Sequence, residues 1–330
     1  MSSDVTSHTY LITVYINGEY MKFKFFILLS LLIFFSLIFI LWNYGINIPQ
    51  RILILRLNIF FQAIIVAGIL SLSGWILQIL LFNPLAEPYL LGVSGAASFG
   101  AVISVFSGLT PLIFFRTFFS LSGSLLFIFV LILWGSRKNL FSIERMVLLG
   151  ISFNSLFSAL IILFQSFLLP NDFYSSVRWL MGNFDYISLT EFLLLLSGIL
   201  VLLIYYSIFR KELYIYQSGE EMAVAVGVDT ERLKFCGFLC VAYATGVSVS
   251  ICGMIGFFGL IVPHIVRMLF FDLKDRILPP VLLISGVIIT FALWVSRNAL
   301  EGTVIPVGVI TSLLGSPFFI YLILRKKPTS

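Results

Sequence analysis

The sequence predicts an all-α integral membrane protein. Of its 330 residues, 60% are hydrophobic and only 11% are charged, a composition far outside that of soluble domains. Continuous apolar runs of about 20 residues, the length of a helix that crosses roughly 30 Å of hydrocarbon, recur along almost the whole chain. A transmembrane barrel would instead show alternating segments of about ten residues.

The apolar runs predict ten transmembrane helices in one domain. They cover residues 25–42, 59–81, 89–109, 112–134, 146–168, 189–209, 234–251, 254–271, 280–299 and 304–324. Residues 1–20 are polar and do not resemble a signal peptide. We expect them to form a disordered extension, or to lie upstream of a true start at Met21, and we expect residues 21–330 to form the membrane domain.

The placement of basic residues predicts the orientation. With ten spans, 15 of the 20 basic residues fall on one side, namely Lys22, Lys24, Arg137, Lys138, Arg145, Arg210, Lys211, Arg232, Lys234, Arg267, Lys274, Arg276, Arg325, Lys326 and Lys327. Arg51, Arg56, Arg116, Arg178 and Arg297 fall on the other. Because Lys and Arg in short loops are retained inside, both termini are predicted to be cytoplasmic.

Motifs for enzymatic chemistry are missing from the sequence. It contains no G-x-x-x-x-G-K-[ST] phosphate loop, no G-x-S-x-G elbow and no H-E-x-x-H pair. With only two histidines, a histidine-based metal site is not predicted either. We therefore predict no catalytic residue, no cofactor and no metal-binding residue.

The stretch FNPLAEPYLLG, residues 82–92, interrupts the apolar sequence at the predicted cytoplasmic face. Pro84 and Pro88 disfavour helix at the residues before them, so one helix ends here and the next is delayed. Non-helical backbone near membrane depth is tolerated only inside protein or along a watery cavity. The loop is therefore predicted to face a pathway or a partner, although Asn83 and Glu87 could instead cap the adjoining helices.

The longest polar interruption, residues 210–234, is predicted to be cytoplasmic. Its segment EEMAVAVGV has apolar residues spaced for short amphipathic helices, and Gly219 and Gly227 would end them. On pattern alone, short surface helices and a solvated connector are equally compatible with it.

Ionisable side chains near the membrane form two further groups. His264 and Arg267 follow Pro263 and share one helix face, where they are either functional or interfacial anchors. On the outer side, Arg56 and Arg297 could pair with carboxylates of a partner or serve as plain anchors.

Five ordered segments resemble the permeases of iron-siderophore, haem and cobalamin ABC importers. They are GILSLSGWILQILLFNPLAEPYLLGVSGA, RWLMGNF, SGEEMAVAVGVDTERLK, GMIGFFGLIVPHIVRMLF and IPVGVITSLLGSPFFIYLILR. The resemblance extends over roughly residues 50–326 and implies the type II ABC-importer permease fold in the bacterial inner membrane. It also implies a homodimer or paralogous pair, two cytoplasmic ATPase subunits and a periplasmic or lipoprotein substrate-binding protein.

The resemblance assigns roles to several residues. Asn83, Pro84 and Leu85 would lie at the cytoplasmic gate of the pathway. The segment 218–234 would dock into the ATPase, with contacts from Gly219, Glu220, Glu221, Ala223, Val224, Gly227 and Val228. Arg56 and Arg297 would meet glutamates of the binding protein, and Pro263, His264 and Arg267 would form a motif at the cytoplasmic end of the eighth span.

Two departures from the family pattern lie near the outer arginines. Family members usually have Pro-Arg where this chain has Asn58-Ile59, and Asp where it has Leu293. One docking cation and one carboxylate are thus missing, which affects the inference of the binding-protein partner and of the substrate.

The resemblance favours import of an iron chelate, as a ferric siderophore or haem, by alternating access at the dimer interface. Cobalamin import is the nearest alternative. An ion-coupled secondary carrier is less favoured because its acidic residues would lie near the midplane, whereas Glu220, Glu221, Asp272 and Asp275 lie in predicted cytoplasmic loops.

Overall fold

The computed structural model describes residues 2–42, 48–108, 113–138, 143–270, 277–300 and 302–325. Within these ranges all regular secondary structure is helical. The helices are α1 (Ser2–Leu41), α2 (Gln50–Leu80), α3 (Val93–Phe106), α4 (Ile113–Lys138), α5 (Ile143–Gln165), α6 (Pro170–Leu180), α7 (Leu189–Tyr216), α8 (Glu220–Ala225), α9 (Thr230–Cys252), α10 (Phe258–Leu269), α11 (Leu278–Asn298) and α12 (Val307–Arg325).

Ten of these helices coincide with the ten predicted apolar runs, which confirms the all-α membrane fold. Within the described chain, seven helices are long and apolar enough to cross a membrane by length and composition, and α3, α10 and α12 are shorter apolar helices. The sequence did not predict α6. Its average composition is polar, because its 11 residues combine one hydrophobic face with Asp172, Arg178 and two serines.

The first helix extends further than expected. α1 begins at Ser2, where the sequence favours a disordered extension. Its polar half continues the backbone hydrogen bonding of the apolar half, and only Phe23–Leu41 has the composition of a membrane span. The division of the chain at residue 20 stays a prediction.

The centre of the bundle is α2, which packs against α7, α9, α10 and α11. The backbones of α2 and α10 approach each other closely. A Cβ atom on Gly74 would lie only 2.0 Å from the carbonyl oxygen of Gly259. The absence of a side chain at Gly74 therefore lets the two backbones touch, as small residues do in membrane bundles.

Three irregular segments meet beside the short helices. The N–H of Asn183 donates to the carbonyl of Cys252 at 2.9 Å, and the N–H of Gly308 donates to the carbonyl of Gly182 at 3.2 Å. These bonds join the end of α6, the end of α9 and the start of α12. Because the segments satisfy one another's polar groups, non-helical backbone is tolerated inside the bundle.

Candidate functional site

A cavity of about 710 Å³ opens between α5, α6, α12 and the start of α10. The described residues that line it include no charged side chain, and their polar groups include Gln165 and the hydroxyls of Ser158, Ser312 and Ser316. Its rim is apolar and open, since Leu313 is 67% exposed. Such a surface can pass a bulky ligand but offers no ligand set for a bare metal ion.

The loop between α2 and α3 reaches this cavity through Tyr89, which is one of the lining residues. The side-chain amide of Asn154 on α5 donates to the carbonyl of Tyr89 and so holds the loop against α5. Sequence reasoning missed both residues. An Asn inside an apolar helix was the available signal, because such polar groups need a partner.

The predicted gate residues lie earlier in the same loop. Asn83 is buried, and its side-chain oxygen accepts the N–H of Leu85 at 2.9 Å, which closes a local turn. Pro84 and Leu85 are exposed at the tip, and neither lines the cavity. The gate role of Asn83, Pro84 and Leu85 stays a prediction.

The carboxyl group of Glu87 is buried against the first turn of α10. It accepts hydrogen bonds from the backbone N–H groups of Phe257 and Leu260. Glu87 therefore does cap a helix, although it is α10 rather than one of the adjoining helices. Burial raises the pKa of this carboxyl to about 8, because desolvation disfavours the charged form more than the two N–H groups favour it.

The cytoplasmic end of α10 is fastened to α2. The guanidinium of Arg267 donates to the side-chain oxygen of Gln78, and the amide of Gln78 donates to the carbonyl of Gly259 at 2.9 Å. Arg267 thus points into the bundle, whereas the interfacial-anchor alternative places it at the membrane surface. Pro263 is buried within α10, and the ring of His264 lies 6.1 Å from that of Phe318.

The segment predicted to dock the ATPase forms α8 and the start of α9. Glu220 is exposed, but its carboxylate pairs with the ammonium group of Lys234 at 2.6 Å and accepts the hydroxyl of Tyr216 at 3.3 Å. Ala223 is fully buried. Both residues therefore hold α8 to the bundle. A partner would contact the outer face of the segment instead.

The outer face of α8 and the turn after it is apolar. Met222, Val224 and Val226 are 59%, 56% and 64% exposed. Of these, only Val224 was predicted from the resemblance. Gly219 and Gly227 end the segment with φ values of +126° and +91°, which L side chains rarely adopt. Glu221 and Val228 are exposed and half-buried, respectively.

The two predicted docking arginines each bind backbone carbonyls. Arg56 donates to the carbonyls of Ile40 and Trp42 at the end of α1. Arg297 donates to the carbonyl of Phe184 at 2.8 Å. Both side chains are half-buried, so each has a structural task in addition to the predicted docking role.

The residues that depart from the family pattern take part in internal contacts. Asn58 forms two hydrogen bonds of 3.0 Å with the backbone of Ile187. Ile59 and Leu293 are each only 1% exposed. None of the three side chains is therefore placed to meet a partner directly.

Comparison with known proteins agrees with this architecture. The model of the FecCD transport family matches residues 22–325. The chain belongs to the FecCD transport family. Among its relatives, the iron(3+)-hydroxamate import permease FhuG of Bacillus subtilis is 30% identical over 277 residues, 82% of each chain. The vitamin B12 import permease BtuC of Yersinia enterocolitica is 33% identical over 275 residues, 83% of this chain and 81% of BtuC.

A solved structure extends the similarity to three dimensions. An inward-facing metal-chelate type ABC transporter superposes with a TM-score of 0.79 at 27% identity, covering 92% of this chain and 99% of that one. This FecCD family member is thus a multi-pass protein of the cytoplasmic membrane and the permease subunit of a type II ABC importer. The permease is not the catalytic subunit, and ATPase activity resides in separate subunits.

Proposed function

We propose that this permease imports an iron chelate, as a ferric siderophore or haem, with cobalamin as the second candidate. The observation that carries the proposal is the cavity of about 710 Å³, whose described lining is uncharged and mostly apolar. A bulky chelate presents its own ligands to the metal and needs no protein ligands during passage. The names of FhuG and BtuC assign one to an iron(3+)-hydroxamate and the other to vitamin B12. Their sequence identities to this chain are similar, at 30% and 33%.

The transport pathway in this proposal lies between two copies of the permease, or between this chain and a paralogous one. The open rim of the cavity supports it, because Ile162 and Leu313 are each 67% exposed beside an unfilled space. A cavity that is open on one side needs a second wall before it can enclose a ligand. Each copy would then supply one wall.

Energy input in this proposal comes from two ATPase subunits that dock on the apolar face of α8. Met222, Val224 and Val226 offer the contact, and Glu220 with Lys234 carries any displacement of α8 into α9. ATP drives the change only if it favours one conformation of the complex over the other. A substrate-binding protein would deliver the chelate to the outer side, where Arg56 and Arg297 lie.

The gate of this pathway is proposed to be the loop after α2. Asn83, Pro84 and Leu85 form its tip, Tyr89 faces the cavity and Glu87 joins the loop to α10. A shift of α10 relative to α5 would therefore move the loop. Such mechanical linkage is what alternating access requires.

Uptake by cells lacking the protein tests the substrate. Labelled ferric siderophores, haem and cobalamin are supplied in turn, and the same cells with the protein restored are the reference. We expect uptake of one iron chelate to fall and to recover on restoration. Loss of cobalamin uptake alone would replace the iron assignment by the second candidate, and unchanged uptake of all three would reject both.

A further inference from the structure

Tyr216, the last residue of α7, is buried where the ends of α2 and α7 meet α8. Its hydroxyl oxygen lies 3.4 Å from the carbonyl oxygen of Leu80, the last residue of α2. The same hydroxyl lies 3.3 Å from a carboxylate oxygen of Glu220, the first residue of α8. Because a hydroxyl has one hydrogen to donate, these two acceptors share it. Tyr216 therefore joins the end of α2 to the helix on which the ATPase is proposed to dock.

The ring of Tyr216 contacts the first residue of the loop after α2 (residues 82–92). The ring centroids of Tyr216 and Phe82 are 4.7 Å apart, with an angle of 33° between the ring planes. This distance lies within the range of favourable aromatic pairs. The ammonium group of Lys234, which pairs with Glu220, lies 5.7 Å from the centroid of the Tyr216 ring. One side chain thus contacts both the ion pair that holds α8 and the loop.

Phe82 occupies a backbone position that usually belongs to glycine. The N–H groups of Phe82 and Asn83 donate to the carbonyls of Ile79 and Gln78, respectively, each at 3.1 Å, which forms a Schellman motif at the end of α2. The φ of Phe82 is +47°, in the left-handed region that L side chains rarely adopt. Glycine would form the same turn without strain, so the turn alone does not explain the phenyl ring. Strained backbone persists where surrounding contacts hold it, and the contact with Tyr216 requires a side chain.

From this geometry we propose that Tyr216 is a positioning residue that couples α8 to the loop after α2 through its contact with Phe82. The inference rests on the proposed function, in which α8 receives the ATPase and this loop is the gate. A displacement of α8 moves Glu220 and Lys234, and both contact Tyr216. Tyr216 in turn contacts Phe82, which directly precedes the loop tip that contains Leu85. This route from the docking helix to the gate is shorter than the one through α10.

Thiol labelling of the complex of the permease with its ATPase subunits tests the coupling. Leu85→Cys, at a 41% exposed position of the loop tip, reports the state of the loop by its rate of reaction with fluorescein maleimide. The complex without this substitution gives the background of the three native cysteines. Rates are measured with and without AMP-PNP, and we expect the nucleotide analogue to change the rate.

Phe82→Leu and Tyr216→Phe should each weaken the effect of AMP-PNP. Phe82→Leu removes the aromatic pair and keeps an apolar side chain in the same backbone conformation, and Tyr216→Phe removes the hydroxyl that reaches Glu220. Each should bring the ratio of the two labelling rates closer to one, by up to about fivefold, which is the effect of one aromatic pair or one hydrogen bond on an equilibrium.

Two matched variants separate coupling from general damage to the structure. Phe82→Tyr keeps both the ring and the left-handed backbone, so it should keep the ratio of the unaltered loop. Tyr205→Phe, on the same helix, removes a buried hydroxyl that donates to the carbonyl of Leu233 at 3.0 Å. This bond joins α7 to α9 rather than to α8 or the loop, so its loss should leave the ratio unchanged.

Co-purification of the ATPase distinguishes failure of the coupling from failure of the proposed function. Absence of the ATPase from the purified Leu85→Cys permease would reject the docking proposal, and labelling that is independent of AMP-PNP would reject the gate. The coupling would fall with either. A bound ATPase and nucleotide-dependent labelling, together with an unchanged ratio in Phe82→Leu or in Tyr216→Phe, would overturn the coupling alone.

Discussion

At the scale of single residues, Glu87 shows how a buried polar group links two distant segments. Its carboxyl is held by two backbone N–H groups at the start of α10 and is only 3% exposed. The first N–H groups of a helix lack partners within the helix, which makes this a suitable place for a carboxyl group. The neutral form predominates at neutral pH because the pKa is raised to about 8.

Glu87→Gln should reduce the dependence of stability on pH. Because the pKa of Glu87 is higher in the folded protein than in the unfolded chain, protonation of this carboxyl stabilises the fold. This contribution to stability is complete below the unfolded-state pKa near 4.5 and is lost as the pH rises through about 8. The slope is at most about 1.4 kcal/mol per pH unit. Thermal unfolding midpoints at pH 6 and pH 9 should differ less in the variant than in wild type. The exposed Glu221→Gln is the control, and an unchanged slope in Glu87→Gln would contradict the assignment.

At the scale of helices, the contact between α2 and α10 depends on Gly74. A methyl group there would meet the backbone of Gly259 at 2.0 Å, and backbone has little freedom to withdraw. Gly74→Ala should therefore destabilise the protein by about 1–3 kcal/mol, the usual cost of overpacking. Gly256→Ala is the matched control, because a Cβ there meets nothing within 4 Å. Equal unfolding midpoints for the two variants would argue against the close approach.

The turn after α8 allows backbone strain to be separated from partner docking. Gly227 and Gly108 both have positive φ and open space around the absent side chain, so alanine should strain each backbone similarly. We expect only Gly227→Ala to reduce co-purification of the ATPase and substrate uptake, because Gly227 borders the apolar face of α8. A similar loss in Gly108→Ala would show that strain alone explains the effect.

At the scale of the whole molecule, the open rim of the large cavity predicts where a second permease lies. In a pair of identical copies, Leu313→Cys should cross-link the copies on addition of a bifunctional thiol reagent in membranes. Ile204→Cys is a control of comparable exposure on α7, at 56% against 67%, away from the cavity. Gel mobility is the readout, with the unsubstituted protein as background for its three native cysteines. Equal cross-linking of both variants would exclude this face as the specific interface.

The membrane fold was predictable because hydropathy is a local property of the chain. Each apolar run is long enough to commit its own residues to a helix, so ten helices could be recognised without knowledge of their packing. Five short motifs, which follow one another along the chain in the order typical of the family, also indicated the family. α6 was missed because an amphipathic helix of 11 residues does not raise the average hydropathy.

By itself, the sequence determined the membrane class, the ten apolar helices and the family. Only the tertiary structure decided that Glu87 caps α10, that Arg267 turns inward to Gln78, and that Arg56 and Arg297 hold carbonyls. The physical reason is that the insertion of a segment into lipid as a helix depends on the hydropathy of residues that are adjacent in the sequence. The partner of a polar side chain depends instead on backbone that packing brings near from distant segments.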